Sequence, residues 1–272
     1  MAGTGAGAHG WQLSGSSSDA YEELLVPTIF GPWARALVER AQPQAGERLL
    51  DLACGTGVVA RDAASLVLPA GTVTAVDVNT GMLATARQVA GEDAAIEWRE
   101  ADAVDLPFAD DAFDVVVCQQ GLQFVSDRTA MAREIRRVLA GAGRLALSTW
   151  RGIDHNRGFA LFARALERHS PRAGAIMRSP FALDDPDTIR QVLTGAGFEH
   201  VRVLIDARIC RFPSPAELLR YEVLSSPLAE PIGQLDADDH ARLVADVEAT
   251  LAPYVDDDGL AIPMEAHIVL AT

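Results

Sequence analysis

Long apolar runs are missing from this chain, although apolar residues make up 49% of its 272 positions. No stretch approaches the roughly 18 consecutive apolar residues that a membrane helix needs. The opening is equally bare of targeting signals. Met1 to Ser18 are mostly Gly, Ala and Ser, without the basic start or apolar centre of a secretory signal peptide. That composition predicts a disordered tail over 1–18 and a cytoplasmic location. Cysteine is scarce: Cys54, Cys118 and Cys210 are odd in number and no two are close enough for a metal knuckle, so neither a disulfide framework nor a zinc site is expected. Positive charge is short as well. Lys and Arg total 23 against 38 Asp and Glu, a net charge of -15, which repels polyphosphate chains and argues against nucleic acid as a partner.

What the chain does contain is an α/β alternation. Its length suits one large domain, or a core with an inserted cap. From Arg48 onward, short β-branched and Leu-rich runs alternate with segments of helical period, the pattern of a parallel sheet wrapped by helices. Strands are predicted at about 48–53, 72–77, 95–101, 113–118 and 143–149, with two later ones near 198–206 and 264–271. Helices are predicted near 57–66, 80–90 and 128–139, the last stopped by Gly141. Asp185 and Pro186 start another, closed by Gly195 and Gly197.

Three segments stand outside this alternation, at about 19–43, 150–184 and 213–258, and read as helical cap insertions on a domain running from 19 to 272. In the third, Ser214, Pro215 and Glu217 start a helix carrying Leu218, Leu219 and Tyr221, and a second helix carries Val244, Val247 and Leu251.

The most informative stretch is Leu49 to Ala60, LLDLACGTGVVA: an apolar strand, a turn with Gly55 and Gly57, then a helix. Glycines there let the backbone approach a ligand at the carboxyl ends of the strands. The spacing Gly55, Gly57, Ala60, with Asp77 twenty residues past Gly57, also satisfies the dinucleotide fingerprint, so a nicotinamide-dependent oxidoreductase stays open. Asp51 favours the other reading. Just before the turn, its charge opposes a pyrophosphate but welcomes an ammonium or sulfonium. Beyond it, Asp77 can accept two ribose hydroxyls, Asp102 can take an adenine amino group, and Met82 with Ala103 can cover the ring faces.

With DLACGTG, AVDVNTGML, EADAVDLPFADDAFDVVVCQQGLQF and AREIRRVLAGAGRLALSTW, the sequence resembles the class I S-adenosylmethionine-dependent methyltransferases, in particular the ubiquinone and menaquinone biosynthesis branch. The resemblance implies a Rossmann-like seven-stranded sheet of order 3-2-1-4-5-7-6 with the last strand antiparallel. It also implies S-adenosylmethionine as cofactor and S-adenosylhomocysteine as product. Gly55, Thr56 and Gly57 would wrap the methionine portion, Asp77 would hold the ribose, Met82 would lie on adenine, Asp102 and Ala103 would bind its edge, and Gln119 would approach the methionine end, with Asp51 and Val78 also counted among the cofactor-binding residues. Tyr21 resembles the aromatic residue with which many relatives close a lid.

The implied reaction is in-line methyl transfer to a small-molecule acceptor at oxygen, carbon or nitrogen. A protein that binds the cofactor without transferring methyl is the non-catalytic alternative. The acceptor is expected over the ends of the fourth and fifth strands, near Gln123, Phe124, Trp150 and Tyr221, with His155 as the candidate general base. Leu24, Leu25, Ile29, Trp33 and Leu37 suit a lid helix pair or, equally, the seam of a homodimer.

Overall fold

A computed structural model describes residues 16–91 and 94–272. Most of the tail expected over 1–18 lies outside these residues, but Ser16, Ser17 and Ser18 already belong to helix α1 (Ser16–Ala20), where Ser18 is buried. A π-helix, Tyr21–Phe30, and α2 (Gly31–Ala41) continue the same helical run. Then come β1 (Arg48–Leu52), α3 (Val58–Val67), β2 (Thr72–Asp77), α4 (Thr80–Ala90), β3 (Ile96–Glu100) and β4 (Phe113–Gln119). They are followed by α5 (Arg128–Val138), β5 (Leu139–Trp150), α6 (Arg157–His169), α7 (Pro171–Arg178) and α8 (Pro186–Gly195). The chain ends with β6 (Val201–Phe212), α9 (Pro215–Ser225), α10 (Ala229–Gly233), α11 (Ala237–Leu251), β7 (Val255–Asp256) and β8 (Gly259–Ala271).

The sheet runs β3-β2-β1-β4-β5-β8-β6, with β8 antiparallel to both neighbours. This is the expected order, except that the two-residue β7 adds a short antiparallel pairing on β8, inside what the sequence reading treats as cap. Alternation along the central strands builds two cores. Val115 and Val117 of β4 join one cluster with Trp33, Leu37 and Ala63, while Val116 and Cys118 join the other with Met131, Ile135 and Leu193.

Two boundaries differ from expectation. Gly141 does not stop α5; the helix ends at Val138 and the chain enters β5 at once, Leu139 pairing with Phe113 across a register shift. The closing hairpin is also longer, with β6 and β8 paired from Val201↔Ala271 to Phe212↔Leu260. Since β5 meets β8 only as far as Trp150↔Ala266, half of this hairpin projects beyond β5. Cys210, Phe212, Leu260, Ile262 and Met264 are buried there, which is why the pairing continues. Helix α6 packs on β8 and α9 on β6, α11 packs against both α6 and α9, and α9 also packs on α1 and the π-helix.

Pro27 does not break the leading helix. It lies inside the π-helix, where the wider turn accommodates a missing N–H, and Gly31 N–H donates five residues back to the Val26 carbonyl. Leu25, Ile29, Trp33 and Leu37, spaced by four, form one stripe buried within this chain. That face is therefore not available as a dimer seam. No helix among the described residues is long and apolar enough to cross a membrane.

Candidate cofactor and acceptor site

The turn after β1 is held in a conformation few residues tolerate. Ala53, Gly55 and Gly57 all have positive φ, at 57°, 55° and 82°. The two glycines have different reasons to be there. A Cβ on Gly57 would stand 2.3 Å from the Trp98 ring, whereas one on Gly55 would meet nothing within 4 Å. Gly57 is thus required by packing on β3, and Gly55 leaves the backbone open to a ligand.

Asp51, fully buried at the end of β1, accepts the Ala60 N–H at 2.9 Å through Oδ2, while its Oδ1 has no partner. Burial pushes its pKa up to about 8, partly offset by the Ala60 amide and reinforced by the Asp77 charge. An unpartnered buried carboxylate oxygen calls for a cation. It opens into a cavity lined also by Cys54, Gly55 and Thr56 from the turn, Tyr21 and Phe30 from the π-helix, and Gln119 from β4. The Thr56 hydroxyl there is buried without a partner too. The Cys54 thiol is held protonated by burial and by the charges of Asp51 and Asp77.

Asp77, at the end of β2, accepts the Gly55 N–H through Oδ2 and the Asn79 N–H through Oδ1, both at 2.8 Å. Burial raises its pKa against these amides, and each oxygen keeps a further lone pair. Asn79 caps α4 by accepting from the Gly81 and Met82 amides, which seats Met82 at the first turn. Next to this the surface opens: Val78 and Asp102 are exposed and Ala103 is half-buried. Asp102 turns one oxygen to the Val104 N–H at 3.1 Å.

The π-helix is tied down by polar contacts. Glu22 pairs with Arg61 of α3 at 2.6 Å, and Gln119 Nε2 donates to the Phe30 carbonyl at 2.9 Å. Tyr21 stacks on Phe30 at 4.8 Å, and burial, then Glu22, Asp77 and Glu222, raise its phenol pKa well above the usual value. Phe30 leads on to Trp150 at 6.3 Å, which meets Trp33 edge-on at 5.4 Å.

The remaining sequence candidates are not brought to the cavity. His155 is exposed, with Nε2 3.0 Å from an Arg151 guanidinium nitrogen, so the expected base faces solvent beside a cation. Gln123 is buried but bound to Gln120, Phe124 is 37% exposed, and Tyr221 lies against Phe212 and Arg220. Missed by the sequence reading were Phe30, which lines the cavity, and Asn79, which caps α4.

Comparison with known proteins adds family information. A family model described as a methyltransferase domain matches residues 50–147. A ubiquinone/menaquinone biosynthesis C-methyltransferase of Ectopseudomonas mendocina is 31% identical over 205 residues, covering 67% of this chain and 77% of that protein. A demethylmenaquinone methyltransferase of Clavibacter sepedonicus is 36% identical over 180 residues, covering 62% and 72%. Among solved structures, the YcgJ protein of Bacillus subtilis superposes with a TM-score of 0.59 at 16% identity, covering 88% of this chain and 97% of its own. A Haemonchus contortus phosphoethanolamine N-methyltransferase, solved with phosphomonomethylethanolamine and S-adenosylhomocysteine, also gives 0.59, at 20% identity, covering 94% and 56%.

Proposed function

Because this chain belongs to the class I S-adenosylmethionine-dependent methyltransferases, related to the ubiquinone/menaquinone biosynthesis C-methyltransferases, we propose that it methylates a small-molecule acceptor held beneath its helical cap. The observation that carries this reading is the unpartnered Oδ1 of buried Asp51 in a cavity closed by Tyr21 and Phe30. It suits the α-ammonium of the cofactor's methionine part, and it would be hostile to a pyrophosphate.

In this assignment Asp77 accepts the ribose hydroxyls with its spare lone pairs, beside Val78. Met82 covers adenine, and Asp102 with Ala103 meets its edge. The backbone of Gly55 and Thr56 follows the methionine chain, Gly57 holds the turn in shape, and Gln119 with Tyr21 closes the far end. The cofactor supplies an electrophilic methyl on a sulfonium. The protein's task is alignment and exclusion of water: near-attack positioning is worth on the order of 7–11 kcal/mol of barrier, and a lid that seals the site protects it from water. Trp150 and Phe30 offer aromatic walls toward the acceptor. No step is assigned to His155.

Methyl-labelled cofactor offered with phenols, quinones, amines and polyketide-like acids tests the reading. Label should appear in a small molecule. Label found only in protein or nucleic acid would overturn it.

A further inference from the structure

The sheet ends at β6, and no strand among the described residues pairs with its outer edge. Val201–Phe212 contains no Pro and no Lys, and it pairs with β8 along its whole length without a register shift, so neither a breaker nor a bulge blunts that edge. At its start, His200 and Thr272 exchange both N–H to carbonyl hydrogen bonds. In an antiparallel ladder such bonded pairs recur at every second residue. The even-numbered residues of β6 therefore bond to β8, and the odd-numbered ones turn their N–H and C=O groups to the open edge. Ala207 shows this, since its amide is held not by β8 but by the Asp206 carboxylate, at 3.0 Å. One face of the strand is open too. Helix α8 packs on β6, and Val201 and Val203 join the core on its side of the sheet, but further along that face Ile205 and Ile209 are 58% and 61% exposed. No other large apolar side chain among the described residues is as exposed as these two.

The strand is also complementary to itself. Antiparallel pairing of two copies about a two-fold axis at Ala207 sets Ile205 opposite the partner's Ile209 and Asp206 opposite the partner's Arg208, and the symmetry makes each contact twice. Moving the axis by one residue brings Asp206 against Asp206, or Arg208 against Arg208, so like charges exclude the neighbouring registers. With the axis at Ala207, every outward N–H and C=O of the odd-numbered residues from 203 to 211 meets a counterpart. We propose that β6 is the seam of a homodimer, in which two copies pair in this register and join their sheets into one. A second copy is the occupant because the apolar and charged residues of the edge match this strand's own sequence read in reverse. Within one chain Asp206 and Arg208 hold each other at 3.1 Å, and Arg208 lies over the Trp33 ring, so both are already ordered on one face of the seam. On association the Ala207 amide passes from Asp206 to the partner's Ala207 carbonyl, and Asp206 turns to the partner's Arg208. No residue that lines the cofactor cavity belongs to β6, so the inference stands apart from the identity of the acceptor.

Sedimentation of the full chain across a concentration series tests the seam. Wild type should pass from monomer to dimer, and on dimerisation the amides of 205, 207 and 209 should exchange more slowly, while those of 206 and 208, already in the β8 ladder, change less. Ala207→Pro removes an outward N–H at the centre of the seam and takes no bond from β8, a position where an edge strand tolerates proline. It should stay folded and raise the dimer dissociation constant by about 100-fold or more. The charge pair supplies an independent test. Asp206→Arg and Arg208→Asp each leave like charges opposed on both sides of the axis, and each alone should weaken self-association by roughly 10- to 100-fold. Mixed together, the two variants should form a heterodimer about as tightly as wild type, because opposite charges then meet across the seam while the pair within each chain stays broken. Thermal melts report whether each variant is folded. If a charge variant is not, Ala207→Pro and the exchange pattern of wild type still decide. A chain that stays monomeric up to millimolar concentration, a dimer indifferent to Ala207→Pro, odd and even amides slowed alike, or folded charge variants that fail to associate on mixing would each overturn the proposal.

Discussion

Gln119 Nε2 donates to the Phe30 carbonyl at 2.9 Å, joining the last residue of β4 to the last residue of the π-helix. The strand end that lines the cavity is thereby bonded to the segment that closes it. One such hydrogen bond contributes about 0.5–1.5 kcal/mol net. Gln119→Ala should therefore speed amide hydrogen exchange across 21–30 by up to about tenfold. Adding S-adenosylhomocysteine should slow exchange there more than in α5. Equal exchange in α5 and the π-helix under both conditions would show the π-helix to be permanent core rather than a lid.

Asp51 makes stability and binding depend on pH in opposite senses. Its folded pKa of about 8 lies far above the ordinary 3.8. The unfolded chain releases this proton near pH 4 while the folded chain keeps it, so stability falls as pH rises from about 4 to about 8 and levels off beyond. A cofactor ammonium paired with Asp51 draws its pKa down, so binding below pH 8 should release a proton and tighten with rising pH. Calorimetry at pH 6.5 in buffers of different ionisation enthalpy measures the release. Asp51→Asn should remove it and flatten the stability slope in part, since Glu222 titrates in the same direction. Unchanged proton release in Asp51→Asn would detach Asp51 from the ammonium.

Asp77→Asn retains one acceptor oxygen and turns an NH₂ toward an amide N–H that the carboxylate satisfied. Stability should fall by roughly 1–3 kcal/mol, and S-adenosylhomocysteine binding by a similar amount, the usual range for a lost charged acceptor. Thermal melts and titration calorimetry report the two separately. Full affinity in the folded variant would remove Asp77 from the ribose.

Gly55 and Gly57 should separate in mutation. Ala at 57 meets both a φ of 82° and the Trp98 ring, so unfolding free energy should drop by more than the ~1–2 kcal/mol that a left-handed backbone alone costs. Ala at 55 meets open space and should cost no more than that, yet weaken S-adenosylhomocysteine binding by tenfold or more. The reverse ranking in a denaturant series would mean the ligand approaches elsewhere.

His155→Ala should leave turnover within about twofold of wild type, as surface changes usually do. The ring is exposed beside Arg151 and outside the cavity. A loss of a hundredfold or more would bring it back as the base.

The sequence by itself determined the α/β alternation, the glycine turn of β1, and the capping of α8 and α9, because each depends on residues within a few positions of one another. Asp185 and Ser214 both accept the amides their local spacing offers. Asp51 and Asp77 were legible for the same reason: strand ends beside a turn converge wherever the sheet is parallel. What only the tertiary structure decided was which distant groups meet. The continuation of β6 and β8 past β5 depends on burial by cap helices, and the passage of the first helix through Pro27 depends on a π turn packed against α9. Periodicity could place Tyr221 and Glu222 on one helix, but which of them turns inward is set by the elements that α9 meets. Local spacing carries no information about partners 40 or 200 residues away in the chain. For that reason His155 came to lie exposed beside Arg151, outside the cavity, and Glu222 came to be buried on α9.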